Sequence, residues 1–194
     1  MHACPDEHEI DSVLAQLQQI PGAHLYPQVT HDLATALAPH NLDMDTIRAL
    51  ARAIVNSVDP QRSLNYLIRF IDGPQGSKSL WQVFAQHPPS VAYLINTFAG
   101  SQFLSHILLR TPELLFWLLE GAMVTPTPGV DALKEQLLKQ LTEQQTEAAA
   151  ATTLRRFTQQ YLLHIGARDL NRLADVESVT AALTALAEAV IDAA

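Results

Sequence analysis

The chain of 194 residues carries 12 Lys and Arg against 20 Asp and Glu, a formal net charge of −8, so it has no basic field to attract nucleic acid or an anionic membrane. It is 48% hydrophobic with only 7 glycines, and a chain of this size buries roughly 70% of its unfolded surface, enough to hold a helical domain together without cross-links. Cys4 is its one cysteine, which excludes an internal disulfide and fits a reducing, cytoplasmic setting.

The opening MHACPDEHEID is polar and acidic, without the basic and then apolar blocks of a secretory signal, and residues 1–9 are expected to form a flexible tail. His2, Cys4 and His8 could meet a metal there, but a mobile tail is the simpler reading and no metal is assigned. From Ile10 the apolar residues recur at helical spacing through Val13, Leu14 and Leu17, until Pro21-Gly22 ends the run. A second helix is expected from Thr30 or His31 to Ala38, carrying Leu33 and Leu37. Asp43 opens a stronger one, with Ile47, Leu50, Ala51 and Ile54 on one face and Arg48 and Arg52 off it. Pro60 fits the first turn of the next, where its missing N–H costs nothing, and Leu64, Leu67, Ile68 and Ile71 form the stripe.

Residues 79–87 hold Leu80, Val83 and Phe84 before the stop at Pro88-Pro89. Ser90 is expected to cap a helix bearing Val91, Leu94, Ile95 and Phe98 that Gly100 ends, and Ser101 to cap the next, with Leu104, Ile107 and Leu108 inward. Thr111-Pro112-Glu113 supplies a cap, a first-turn proline and a first-turn carboxylate in order. The LLFWLL that follows at 114–119 is apolar on nearly every side, which places it at the centre of the fold. The apolar window 103–119 also contains His106, Arg110, Pro112 and Glu113, so it reads as two short helices and no membrane span.

TPTPG at 125–129 is the clearest linker. Residues 130–170 read as one long helix or two joined end to end, with Leu133, Leu137, Leu141, Leu154, Phe157, Tyr161 and Ile165 inward and a break expected near 148–151. Asp175 opens a last helix with Glu177 in its first turn and Val179, Leu183, Leu186 and Val190 at helical spacing. No Gly, Asn or Pro stop follows before Ala194, so the sequence reads as the front part of something longer. The expected fold is all-α with no sheet: a bundle of short helices over 10–124, a linker at 125–129, and one or two long C-terminal helices over 130–194.

Catalytic motifs are scarce. The eight histidines form no HExxH, and there is neither GxxxxGK[ST] nor GxGxxG to cradle phosphate. His164, flanked by apolar residues on its helix, reads as a packed histidine before it reads as a base. Asp43-Met44-Asp45 is the only Asp-x-Asp, a pairing that can hold two Mg²⁺ ions, but it sits where a helix N-terminus favours acidic residues anyway. Arg155-Arg156 and Arg168-Asp169, about three turns apart on one helix, could face an anionic ligand or partner, or form a solvated face with local ion pairs.

Four segments, in order, resemble one known family: 64–70 (LNYLIRF), 98–115 (FAGSQFLSHILLRTPELL), 154–170 (LRRFTQQYLLHIGARDL) and 175–191 (DVESVTAALTALAEAVI). Over about residues 43–194 the chain is similar to the N-terminal helical part of the bacterial glutamine synthetase adenylyltransferases, also called glutamate-ammonia-ligase adenylyltransferase or adenylyl-removing enzyme. The resemblance implies an enzyme that attaches AMP from ATP to a tyrosine of glutamine synthetase and removes it again, with Mg²⁺ and under control of the nitrogen-signalling PII protein. In that family the active-site motif, Gly-Gly or Gly-Ser followed some ten residues later by Asp-x-Asp, comes after the helical stretch. Here Gly76-Ser77 is not followed by an Asp-x-Asp, and Asp43-Met44-Asp45 precedes it.

The resemblance therefore implies a non-catalytic helical portion of such an enzyme, with no cofactor of its own and with ATP and Mg²⁺ belonging to the full-length family. Its partners would be the missing catalytic domain, glutamine synthetase or PII, and a second copy could pair through the C-terminal helix. The alternative is a free-standing helical interaction module derived from the family. Where the family carries a more charged helix after the Arg pair, this chain has Thr158, Gln159, Gln160, Tyr161 and His164. Arg155, Arg156, Arg168 and Asp169 are the charged positions that match, and by resemblance they are the interface or nucleotide-proximal residues.

Overall fold

The computed structural model describes residues 7–40, 42–73 and 77–193. Among these the fold is all-α: eleven α-helices joined by short turns, with no strand. No helix among the described residues is long and apolar enough to cross a membrane. The chain divides into two compact units, Met1–Pro112 and Glu113–Ala194.

In the first unit α1 spans Glu7–Leu17 and begins ahead of Ile10, because Glu7 and Glu9 suit the positive end of the helix dipole. Gly22 turns the chain at φ +88, a conformation that L side chains rarely adopt; a Cβ there would also lie 3.0 Å from Val55 Cγ1. The second helix, α2, spans Pro27–Leu37 and starts ahead of the expected Thr30, since Pro27 occupies the first turn and Thr30 is interior, donating to the carbonyl of Tyr26 at 2.9 Å. At the start of α3 (Met44–Val55) the Asp43 carboxylate accepts from the Thr46 N–H at 2.8 Å and from its hydroxyl at 2.7 Å. Asp59 caps α4 (Pro60–Ile71) through the Arg62 N–H at 3.0 Å.

After α5 (Ser77–Gln86), α6 spans Pro89–Gly100 and lies against both α3 and α4, burying Val91, Leu94, Ile95 and Phe98 in the middle of the unit. Ser90 is not its cap: Pro89 already occupies the first turn, and the Ser90 hydroxyl donates to the His87 carbonyl at 2.5 Å. Ser101 does cap α7 (Gln102–Arg110), accepting from the Leu104 N–H at 3.3 Å.

The second unit opens with α8, only Glu113–Trp117, which runs into a π turn over Leu118–Ala122. Gly121, at φ +143, takes the chain out of helical geometry. The apolar run at 114–119 is therefore too short to be surrounded: Leu115 and Leu118 are buried, whereas Leu114, Phe116, Trp117 and Leu119 are half-buried.

Beyond it lie α9 (Val130–Thr142), α10 (Glu147–Leu170) and α11 (Val176–Ala193). The break in the long helical stretch falls at 143–146, ahead of the alanines expected to hold it, because Thr146 caps α10 by accepting from the Ala149 N–H at 3.2 Å. Nor are α9 and α10 joined end to end. They fold back on each other, and the Tyr161 hydroxyl donates to Gln136 Oε1 at 2.6 Å.

Asp175 caps α11 as its sequence suggests, accepting from the Ser178 N–H at 2.8 Å. The last helix then folds onto α9 and α10 and closes one buried cluster of Leu133, Leu137, Phe157, Tyr161, Ile165, Leu186 and Ala189. Val179 and Val190 pack against that cluster, while Leu183 lies on the outer side, 42% exposed. Lys134 of α9 and Asp192 of α11 form an ion pair across the closure. Burying each large side chain of such a cluster contributes about 1.5–3 kcal/mol, so shared apolar burial is the main bond between the three helices.

Candidate functional site

Arg155, Arg156, Arg168 and Asp169 all lie on α10, and the structure does not gather them around one point. Arg155 and Arg168 are separated by roughly 20 Å of helix at the ordinary rise per residue. Arg155 and Arg156 are exposed, and Arg156 donates to Glu113 Oε1 at 3.0 Å. Asp169 is exposed as well. Arg168 alone turns inward and is only 9% exposed.

Its guanidinium is held by backbone. Nη1 donates to the carbonyls of Met123 at 2.9 Å and Thr125 at 2.8 Å, and Nη2 donates to the carbonyl of Leu173 at 2.9 Å. Among the described residues no carboxylate lies within ion-pair distance of it. One side chain thus pins α10 both to the segment that leaves the π turn and to the turn that leads into α11. A planar fork of donors suits this task in a way that an ammonium does not.

His164, one turn earlier on the same face, completes the arrangement. It is buried, its Nε2 lies 3.1 Å from the Thr125 carbonyl, and Trp117 meets its ring edge-on at a centroid distance of 5.6 Å. A carbonyl only accepts, so Nε2 carries the proton and donates it. Burial, above all, pushes the imidazole pKa down; the neighbouring Arg168 charge adds to this, and the bond to Thr125 opposes it.

A group whose folded pKa lies below its unfolded value supplies stability that is present above the unfolded value and lost as pH falls through the folded one. Denaturation of the second unit is therefore expected at lower denaturant as pH drops below about 6.5, the ordinary histidine value. Replacement His164→Gln should flatten that slope, as urea titrations between pH 7.5 and 5 would read.

Arg168 also borders a cleft of about 460 Å³, walled by Pro126, Thr127, Pro128, Ile165, Asp175 and Ser178 among others. The Asp175 carboxylate in that wall is held below the usual carboxylate range by its bonds from Ser178, which is the capping interaction. In the first unit a cleft of about 340 Å³ is lined by Asp32, Thr35, Pro39, His40, Ile68 and Asp72. Elsewhere in the first unit, outside that cleft, Tyr66 and His106 meet at 3.3 Å between oxygen and Nε2, with the Arg69 guanidinium 5.6 Å above the Tyr66 ring.

Asp43 spends both carboxylate oxygens on Thr46 as a helix cap, whereas Asp45, its side chain 97% exposed, lies 3.7 Å from Arg48. His2, Cys4 and Gly76 lie outside the described residues, whereas His8 is exposed on α1 and Ser77 begins α5. Among the described residues no three His, Cys, Asp or Glu side chains converge as metal ligands.

The carbonyl clamp at Arg168 was not foreseeable as such, since its partners are main-chain atoms. The spacing of His164 and Arg168, four residues apart on an apolar helix, is the one sequence signal that pointed to a shared inward face. No solved structure matches the chain. Residues 91–194, which run from α6 through the whole second unit, match the family model for glutamate-ammonia ligase adenylyltransferase. With more than half of its length matched, the chain belongs to the glutamate-ammonia ligase adenylyltransferase family.

Proposed function

We propose that the chain is a non-catalytic helical portion of a glutamine synthetase adenylyltransferase, acting in nitrogen regulation in the cytoplasm by packing against a nucleotidyltransferase unit. The family match over residues 91–194 is the observation that carries this reading. It is supported by the place of Asp43 at a helix start, where both of its carboxylate oxygens accept from Thr46. ATP and Mg²⁺ would then be held by the catalytic unit, and glutamine synthetase and PII are the partners of the assembled enzyme.

Of the four charged positions carried over by resemblance, Arg155, Arg156 and Asp169 are exposed and available for contact, whereas Arg168 is committed to the main chain. The purified chain, incubated with glutamine synthetase, radiolabelled ATP and Mg²⁺, is expected to incorporate no AMP. Mg²⁺-dependent labelling by the chain alone would overturn the reading.

A free-standing interaction module is the second reading, and closure of the second unit's core by its own last helix favours it. Micromolar binding of the purified chain to glutamine synthetase, with no catalytic unit added, would decide for it.

A further inference from the structure

We infer that the outer face of α11 is a docking surface for a partner protein's amphipathic helix whose apolar stripe is edged by Lys or Arg. This inference does not depend on the reading above, because it rests on the surface alone. Val176 is 80% exposed, Leu183 42% and Ile191 73%. At 100° per residue these three share a stripe roughly 80° wide with Thr180 and Ala187, which faces away from the buried Ala189 and begins at Leu183 about 60° around the helix from the buried Leu186. A helix with one inward apolar face is ordinary; a second such stripe on its solvent side is the surface to be explained.

The residues around the stripe say what kind of partner fits. Thr180 and Ala187 are small, so a second helix can approach closely between Val176, Leu183 and Ile191. Along one edge, on the side of α9, Glu177 and Glu188 flank a shallow groove of about 750 Å³ that also touches Val130. The helix contains no Lys or Arg, and among the described residues neither glutamate has a cation within ion-pair distance. The surface is thus apolar along its middle and acidic on balance along one edge, where Lys134 of α9 pairs with Asp192 and also feels the charges of Asp131 and Glu188, so it is complementary to a helix with apolar anchors and a basic edge.

The same charges disfavour other occupants. An antiparallel two-fold pairing of α11 with a second copy, centred on Leu183, brings Glu177 of each chain beside Glu188 of the other along a common edge. An anionic lipid surface is repelled by both glutamates and meets no basic residue on this helix.

The test uses the full chain and two fluorescently labelled 18-residue helical peptides with the same Leu/Ala face, one with a Lys edge and one with a Glu edge. Fluorescence anisotropy is expected to give the Lys-edged peptide a Kd at least about 10-fold lower than the Glu-edged one at low salt, with the gap closing at about 1 M salt, where the screening length is only about 3 Å. Leu183→Ser with Ile191→Ser should weaken both peptides about 10-fold, and Glu177→Gln with Glu188→Lys should abolish the preference without weakening the Glu-edged peptide. These positions are exposed, and circular dichroism checks that each variant keeps its helix content. Equal affinity for the two peptides, no binding of either, or a concentration-dependent dimer that excludes the peptides would overturn the inference.

Discussion

Replacing Arg168 by methionine is expected to cost the second unit about 3 kcal/mol. The substitution keeps the buried stem but removes the guanidinium donors from the carbonyls of Met123, Thr125 and Leu173, of which Thr125 alone keeps another, the His164 Nε2–H. Each buried acceptor left without a partner costs roughly 1–3 kcal/mol, and the Thr125 side of the cluster, being exposed, recovers part of this by binding water. Arg168→Lys should fall between the two, because one ammonium cannot span three carbonyls held in a fork. Trp117 reports on the site directly, since its ring meets those of both His164 and Tyr161 edge-on. Its fluorescence in urea, in a Trp81→Phe background, follows the unfolding of this unit. A loss under about 1 kcal/mol would mean that the three carbonyls are satisfied without Arg168, and that its charge is free for other work.

Phe157→Ala is expected to cost more, about 3–5 kcal/mol, by opening a cavity in the cluster that α9, α10 and α11 share. Phe157 is 1% exposed and its ring centroid lies 4.8 Å from that of Tyr161, so the vacated space is bordered by side chains that are themselves held on three helices. Phe157→Leu, which keeps most of the volume, should lose less than half as much. The same Trp117 signal reads both variants. Equal losses for alanine and leucine would point to the ring's edge contacts, and not to filled volume, as the source of the stability.

Where side-chain chemistry speaks locally, the sequence was legible. Asp43, Ser101 and Asp175 stand at helix starts and bond the N–H three residues on; the apolar spacing of Ile47, Leu50, Ala51 and Ile54 reads directly as a buried face. Leu133, Leu137, Phe157, Tyr161 and Ile165 were likewise expected inward and are buried together.

Legibility failed where strong helix formers ran through a turn. Residues 143–146 contain neither Gly nor Pro, so nothing but the capping hydroxyl of Thr146 marks the break. It failed again at Pro88-Pro89, where one proline ends a connection and the other begins a helix, and at 118–122, where the conformation of Gly121 converts an expected helix into a π turn. Of the charged positions singled out on α10, only Arg168 faces inward, and apart from its place four residues after His164 nothing in the sequence marks it off from Arg155, Arg156 and Asp169, which face solvent. The acceptors that draw Arg168 in are backbone atoms lying more than forty residues upstream and five downstream.

The pairing of α9 with α11 has a consequence for how the protein comes into being. The helix that α9 contacts most extensively is not its sequence neighbour α10 but α11, which is made later. During synthesis Leu133 and Leu137 must therefore leave the ribosome and wait, covered only in part, until the residues from Val176 onward have followed. Nascent chains stalled before α11 emerges should accordingly be substrates for chaperones that bind exposed leucine-rich helices, and release should coincide with the arrival of Leu186 and Ala189.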